Sequence, residues 1–97
     1  MAQTANKYAF PFSQYKLRNG LQVILAEDET LPVVSVAVAY RVGSIHEPQG
    51  KSGLAYFMEN MMFSGSADVP PRQHFNNINR VGGKLNANTS EDMSIFY

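Results

Sequence analysis

The sequence predicts an α+β fold, a mainly antiparallel sheet with helices packed on one face. Three observations predict it: an Asn-Gly dipeptide between two short alternating runs, a longer alternating run from Val33 to Arg41, and two helical stretches followed by a second pair of short runs. The resulting order is strand, strand, strand, helix, helix, strand, strand. Segregated strands and helices in that order belong to an α+β unit rather than to a parallel α/β sheet.

The first element is Tyr15-Lys16-Leu17-Arg18-Asn19-Gly20-Leu21-Gln22-Val23-Ile24-Leu25. Asn19-Gly20 tolerates positive φ and suits a two-residue turn, so a β-hairpin is predicted. After the polar stretch from Glu27 to Thr30, the next run places Val34, Val36, Val38 and Tyr40 on one face and Ser35, Ala37, Ala39 and Arg41 on the other, which predicts a strand over Val33 to Arg41. From Val42 to Lys51, the presence of Gly43, Pro48 and Gly50 excludes a regular element and predicts a loop of about ten residues, longer than most connections. Ser52 is predicted to cap a helix from Gly53 to Phe63. That helix is apolar nearly all round, which predicts burial between layers, with Met58, Met61 and Met62 as ordinary core packing. Pro70-Pro71 is predicted to open a second helix, with Phe75 and Ile78 on its inner stripe and Gly82-Gly83 at its end. Leu85 to Thr89 and Met93 to Tyr97 are predicted as a strand pair around Ser90-Glu91-Asp92. The sequence stops inside the last of these strands, so the expectation is of a truncated piece of a longer domain.

A length of 97 residues with 44% apolar and 16% charged residues describes one globular unit with a modest core. Such a chain buries about two thirds of the surface it exposes when unfolded. Eight Lys and Arg balance eight Asp and Glu, and no basic cluster stands out, which argues against a nucleic-acid partner. The absence of Cys excludes disulfides, thiolate zinc sites and a cysteine nucleophile. Apolar runs no longer than Val36 to Tyr40 are far short of the roughly 20 residues of a membrane span. The first six residues carry neither the charged start nor the apolar stretch of an export signal. The compartment stays open: an Ala-Gln junction beside Met1 also arises where a leader is removed, which would place the chain in the periplasm or outside the cell.

Chemistry concentrates on the first helix. Tyr56 and Asn60 lie one turn apart on it, and Glu59 falls beside them. A carboxylate on so apolar a helix is costly unless it is paired, hydrogen-bonded or functional. On residue type alone, Glu59 is expected to be satisfied by a backbone amide or by an arginine such as Arg41 or Arg80. His46-Glu47 begins like a helical zinc motif, but Pro48 breaks any helix and Gly50 occupies the second ligand position. His74 has no second His at helical spacing, so both histidines are expected to be exposed and unliganded. Nothing around Ser52, Ser64 or Ser90 resembles an activated nucleophile. Asn86, on residue type alone, is a polar residue that protects an edge strand from aggregation.

The segment Gly53-Leu54-Ala55-Tyr56-Phe57-Met58-Glu59-Asn60-Met61-Met62-Phe63-Ser64-Gly65-Ser66 resembles the signature helix of the M16 peptidases, the pitrilysin, insulinase and mitochondrial processing peptidase family. The family motif is HxxEH within a GLAHxxEHMxFxGS frame; here the frame is present and both histidines are replaced. Leu17-x-Asn19-Gly20-Leu21-x-Val23, then Arg41-Val42-Gly43-Ser44 with Glu47, and then Gly82-Gly83-x-x-Asn86-Ala87-x-Thr89-x-x-Asp92 match the family in order and spacing. The resemblance implies that residues 15–97 are the N-terminal portion of an M16-like domain about twice this long, preceded by an extension over residues 1–14.

In active members the two histidines bind Zn²⁺ and the Glu between them polarises the metal-bound water. Tyr56 stands at the first ligand position and Asn60 at the second. A free phenol keeps its proton at neutral pH, and a carboxamide oxygen is a poor partner for a borderline-soft ion. Glu59 then matches the general base only as a relic. The third family ligand, a Glu on a later helix, would lie beyond Tyr97. Asn86 and Ala87 match the strand that borders the family's cleft, where an extended peptide adds to the sheet edge through main-chain bonds. The resemblance thus implies a noncatalytic, peptide-binding or partner subunit of an active M16 zinc peptidase, with no metal of its own and zinc in the partner. Processing peptidase subunits and the core proteins of the respiratory bc1 complex form such pairs. Two other readings stay open: an active peptidase whose atypical metal site is completed by residues outside this sequence, and a purely structural subunit.

Overall fold

The computed structural model describes residues 11–97; residues 1–10, most of the expected N-terminal extension, lie outside the described residues. The elements follow the predicted order: β1 (Ser13–Lys16), β2 (Gln22–Leu25), β3 (Val38–Tyr40), α1 (Leu54–Met62), α2 (Gln73–Arg80), β4 (Ala87–Thr89) and β5 (Ser94–Phe96). They fall into two compact units, one reaching to Val34 and the other running from Ser35 to Tyr97. Among the described residues no helix is long and apolar enough to cross a membrane.

The first unit holds the antiparallel pair β1–β2, registered Tyr15 to Val23 and Lys16 to Gln22. The turn between them is longer than the two residues expected. Gly20 N–H donates to the Leu17 carbonyl at 2.9 Å, Leu17 N–H donates to the Leu21 carbonyl at 2.8 Å, and Gly20 has a φ of 91°. This is a three-residue loop in which a turn is followed by a left-handed glycine. Asn19 supports it by accepting from Leu21 N–H at 3.1 Å.

The second unit is built on a three-stranded antiparallel sheet in the order β3-β5-β4. β5 is central, pairing Val38 with Phe96 on one side and Ala87 with Phe96 on the other. The strand expected over Val33 to Arg41 shrinks to Val38–Tyr40 because among the described residues no strand lies opposite positions 33–37; Val34 there is 90% exposed. Alternation supplies a face, but a strand also needs a partner. The expected loop contains one 3₁₀ turn, Ser44–His46, whose N-terminal amides reach the β4–β5 turn: Ser44 N–H donates to the Ser90 carbonyl at 3.2 Å and Ile45 N–H to the Glu91 carbonyl at 2.9 Å. Gly43 is required at this crossing, since a Cβ there would collide with the backbone of Ser90 and Glu91.

A row of aromatic rings joins the layers. Tyr40 meets Phe96 edge-on at 5.9 Å, Phe96 meets Phe63 at 5.8 Å, and Phe63 meets Phe75 at 5.2 Å, linking β3, β5, the end of α1 and α2. The two prolines precede α2 rather than occupying its first turn; Arg72 intervenes in the left-handed region at φ 67°. Gly82-Gly83 ends α2 as predicted, with Gly83 N–H donating to the Ile78 carbonyl and Gly82 N–H to the Asn79 carbonyl, both at 3.0 Å.

The helix α1 departs from expectation in burial. Among the described residues only Ala55 is buried on it, while Tyr56, Phe57, Met58, Met61 and Met62 are exposed. Met58, Met61 and Met62, expected as core packing, are exposed in this chain. An all-round apolar helix needs cover on two sides, and β4 supplies one.

Candidate functional site

The entry to α1 is set by a carboxylate from the preceding loop. Glu47 Oε2 accepts from Gly53 N–H and its Oε1 accepts from Ala55 N–H, both at 2.9 Å. Two of the orphan amides at the helix start are thereby satisfied by one charged side chain, which also suits the positive end of the helix dipole. Ser52, the expected cap, makes no capping bond because this carboxylate already occupies the position.

Along α1 the motif residues part company. Asn60 turns back on its own helix, its Nδ2 donating to the Tyr56 carbonyl at 2.9 Å. Tyr56 is 64% exposed and lines an open cleft of about 410 Å³ with Glu47, Thr89 and Glu91. Asn60 lines a different cleft, about 400 Å³, with Phe63, Arg72 and Phe75. Glu59 lies half-buried and accepts a hydrogen bond from the Thr89 hydroxyl on β4. Thr89, thirty residues away, takes the place expected for a backbone amide, Arg41 or Arg80.

Asn86 and Ala87 come together on the edge strand. Asn86 exchanges both main-chain bonds with Tyr97, at 2.6 and 2.9 Å, which extends the β4–β5 ladder by one pair. The alternation of an antiparallel ladder then points the main-chain groups of Ala87 to the open edge. The Ala87 N–H is held there by the Asn86 carboxamide oxygen at 2.9 Å.

The histidines are both exposed. His46 Nδ1 accepts from Gly43 N–H at 3.2 Å and so braces the 3₁₀ turn. Sequence reasoning missed the roles of Glu47 as a cap and of Thr89 as the partner of Glu59. Both residues sit in the family-matching segments, which was the signal available.

Known proteins match this chain in sequence and in fold. The family model for insulinase, peptidase family M16, matches residues 22–97. A zinc protease of Helicobacter pylori is 34% identical over 94 residues, 96% of this chain and 21% of that protein. The beta subunit of the mitochondrial-processing peptidase of Dictyostelium discoideum is 40% identical over 83 residues, 84% of this chain and 17% of that protein. The crystal structure of a protease from Helicobacter pylori superposes with a TM-score of 0.81 at 34% identity, over 89% of this chain and 21% of that one. The chain thus spans about a tenth to a fifth of the length of the curated relatives it matches.

Relatives named as zinc proteases raise the question of whether these residues fit zinc. They do not. The two ligand positions offer a phenol and a carboxamide, neither a replacement for imidazole. Among the described residues no three His, Asp or Glu side chains are grouped to hold a metal ion. The matched family model, the shared fold and the four motif segments in register together make this chain a member of peptidase family M16, one whose helical motif reads Tyr56-x-x-Glu59-Asn60.

Proposed function

We propose that the chain acts as a noncatalytic M16 homologue that binds, or helps to enclose, an extended or unfolded peptide beside an active zinc-bearing M16 subunit. The observation that carries this reading is the donor chemistry of the two ligand positions: Tyr56 and Asn60 offer a phenol and a carboxamide where the family places two imidazoles. Glu59 is then a relic of the general base, with no activated water to work on. Zinc belongs to the partner, and no cofactor is assigned to this chain. The domain division that goes with this reading is an extension over residues 1–14 and an M16-type portion over 15–97, although β1 already begins at Ser13.

Peptide capture needs only main-chain chemistry. The edge strand β4 offers the outward N–H and C=O of Ala87, whose small side chain lets a second backbone approach. The Asn86 carboxamide, which holds the Ala87 N–H, would exchange that bond for one to the peptide and so orient it. A relative that is named as one subunit of a processing peptidase supports the paired arrangement.

The test is to mix the full-length protein with a zinc-bearing M16 homologue and follow cleavage of unfolded casein. A complex and an altered cleavage rate are expected; neither a complex nor a change in rate would count against the reading. Asn86→Ala should weaken casein binding about fivefold, the worth of one hydrogen bond. Unchanged binding would favour a purely structural subunit, and stoichiometric zinc in this chain would favour an atypical metallopeptidase.

A further inference from the structure

Glu59 is the one motif residue on α1 that still matches the family, and it makes a bond that proton transfer does not require. Its carboxylate accepts from Thr89 Oγ1 on β4. Thr89 faces Ser94 across the β4–β5 ladder, and their hydroxyl oxygens are 3.2 Å apart. Ser94 Oγ in turn donates to the Val42 carbonyl at 2.9 Å. Each hydroxyl has one proton to give, Thr89 to Glu59 and Ser94 to Val42, so none is left between the two hydroxyls and they form two separate ties, one to α1 and one to the chain leaving β3.

The Thr89–Glu59 bond is the side-chain hydrogen bond that joins α1 to β4. A hydrogen bond to a charged group is worth about as much as burying one large apolar side chain.

We propose that Glu59 is a positioning residue: its carboxylate latches β4 to α1 through Thr89 and so fixes the edge strand that carries Asn86 and Ala87. What the latch needs is a hydrogen-bond acceptor, whereas a base needs an ionisable group. Glu59→Gln separates the two, since a carboxamide oxygen still accepts from Thr89 but cannot take a proton. The consequence for peptide capture rests on the peptide-binding reading; the latch itself does not.

Amide hydrogen exchange on the full chain tests it. Glu59→Ala and Thr89→Val should each speed exchange in β4 and β5 about tenfold or more, with β1 and β2 unchanged. The double variant should exchange no faster than either single one, and Glu59→Gln should return exchange to within about threefold of the parent. Unchanged exchange in Glu59→Ala, a Gln variant as fast as the Ala variant, or additive effects in the double variant would overturn the proposal. Should Glu59→Ala not fold, Thr89→Ser against Thr89→Val decides: Ser keeps the hydroxyl and must keep the protection, and equal exchange in the two contradicts the latch. Failure of the parent chain to bind a fluorescein-labelled casein peptide would remove the peptide-binding reading alone, because the exchange comparison does not depend on it.

Discussion

Among the described residues two antiparallel hairpins differ in the bonds that hold them: one has a turn closed by its own residues, and the other has side chains bonded to further elements of its unit. The β1–β2 pair has four registered residue pairs, and its turn is held by the local bonds of Leu17, Asn19 and Gly20. The β4–β5 pair has three, extended by the Asn86–Tyr97 exchange, yet its side chains reach Glu59 on α1 and Val42 after β3, while its turn carries Ser44 and Ile45. Within its own unit the β4–β5 hairpin is thus held by long-range polar bonds as well as by its ladder. The residues matching the family's peptide-binding positions, Asn86 and Ala87, sit on this hairpin.

That contrast can be broken at its tightest point. Gly43→Ala should cost about 3 kcal/mol, since the added methyl meets the Ser90 and Glu91 backbone and forces the 3₁₀ turn off the β4–β5 turn. Urea unfolding reads the loss, and β1–β2 exchange should stay as it was. Next in size, Glu47→Ala should cost about 1.5 kcal/mol by uncapping α1, with Glu47→Gln recovering part of it because one acceptor oxygen remains.

In the β1–β2 hairpin, Gly20→Ala should cost about 1 kcal/mol, the ordinary penalty for a side chain in the left-handed region. Faster amide exchange in β1 and β2 reads the loss, and unchanged exchange there would contradict a turn that needs its glycine. The smallest effect is at Asp28. The Thr30 side chain, and then its backbone N–H at 3.0 Å, hold the Asp28 carboxyl below the usual carboxylate value. A lowered folded value means that the contribution is present above the unfolded carboxylate range and is lost as pH falls through the folded one. Asp28 is fully exposed, so an NMR titration should show the local Thr30 amide moving with pH while global stability barely changes.

Much of the fold was legible in the sequence because its signals are local. Asn19-Gly20 marked the first hairpin, Gly82-Gly83 ended α2, and Ser90-Glu91-Asp92 separated β4 from β5. What was misread depends on distant partners. Val33 to Ala37 alternates like a strand but has no strand opposite it among the described residues, and α1 is apolar all round but is covered by β4 on one side. Ser52 looked like the cap, yet a carboxylate six and eight residues from the amides that donate to it took the role. The candidate site was legible in position and not in bonding. Tyr56, Glu59 and Asn60 could be placed on one helix from spacing, but no periodicity records that Thr89, thirty residues on, would hold Glu59.

The central claim is that α1 uses its motif positions for hydrogen bonds and not for a metal. Zinc content of the purified full-length protein, measured together with its unfolding midpoint in the presence and absence of a chelator, tests this most directly. The account predicts no stoichiometric zinc and an unchanged midpoint. Stoichiometric zinc that is lost in Asn60→Ala would contradict it.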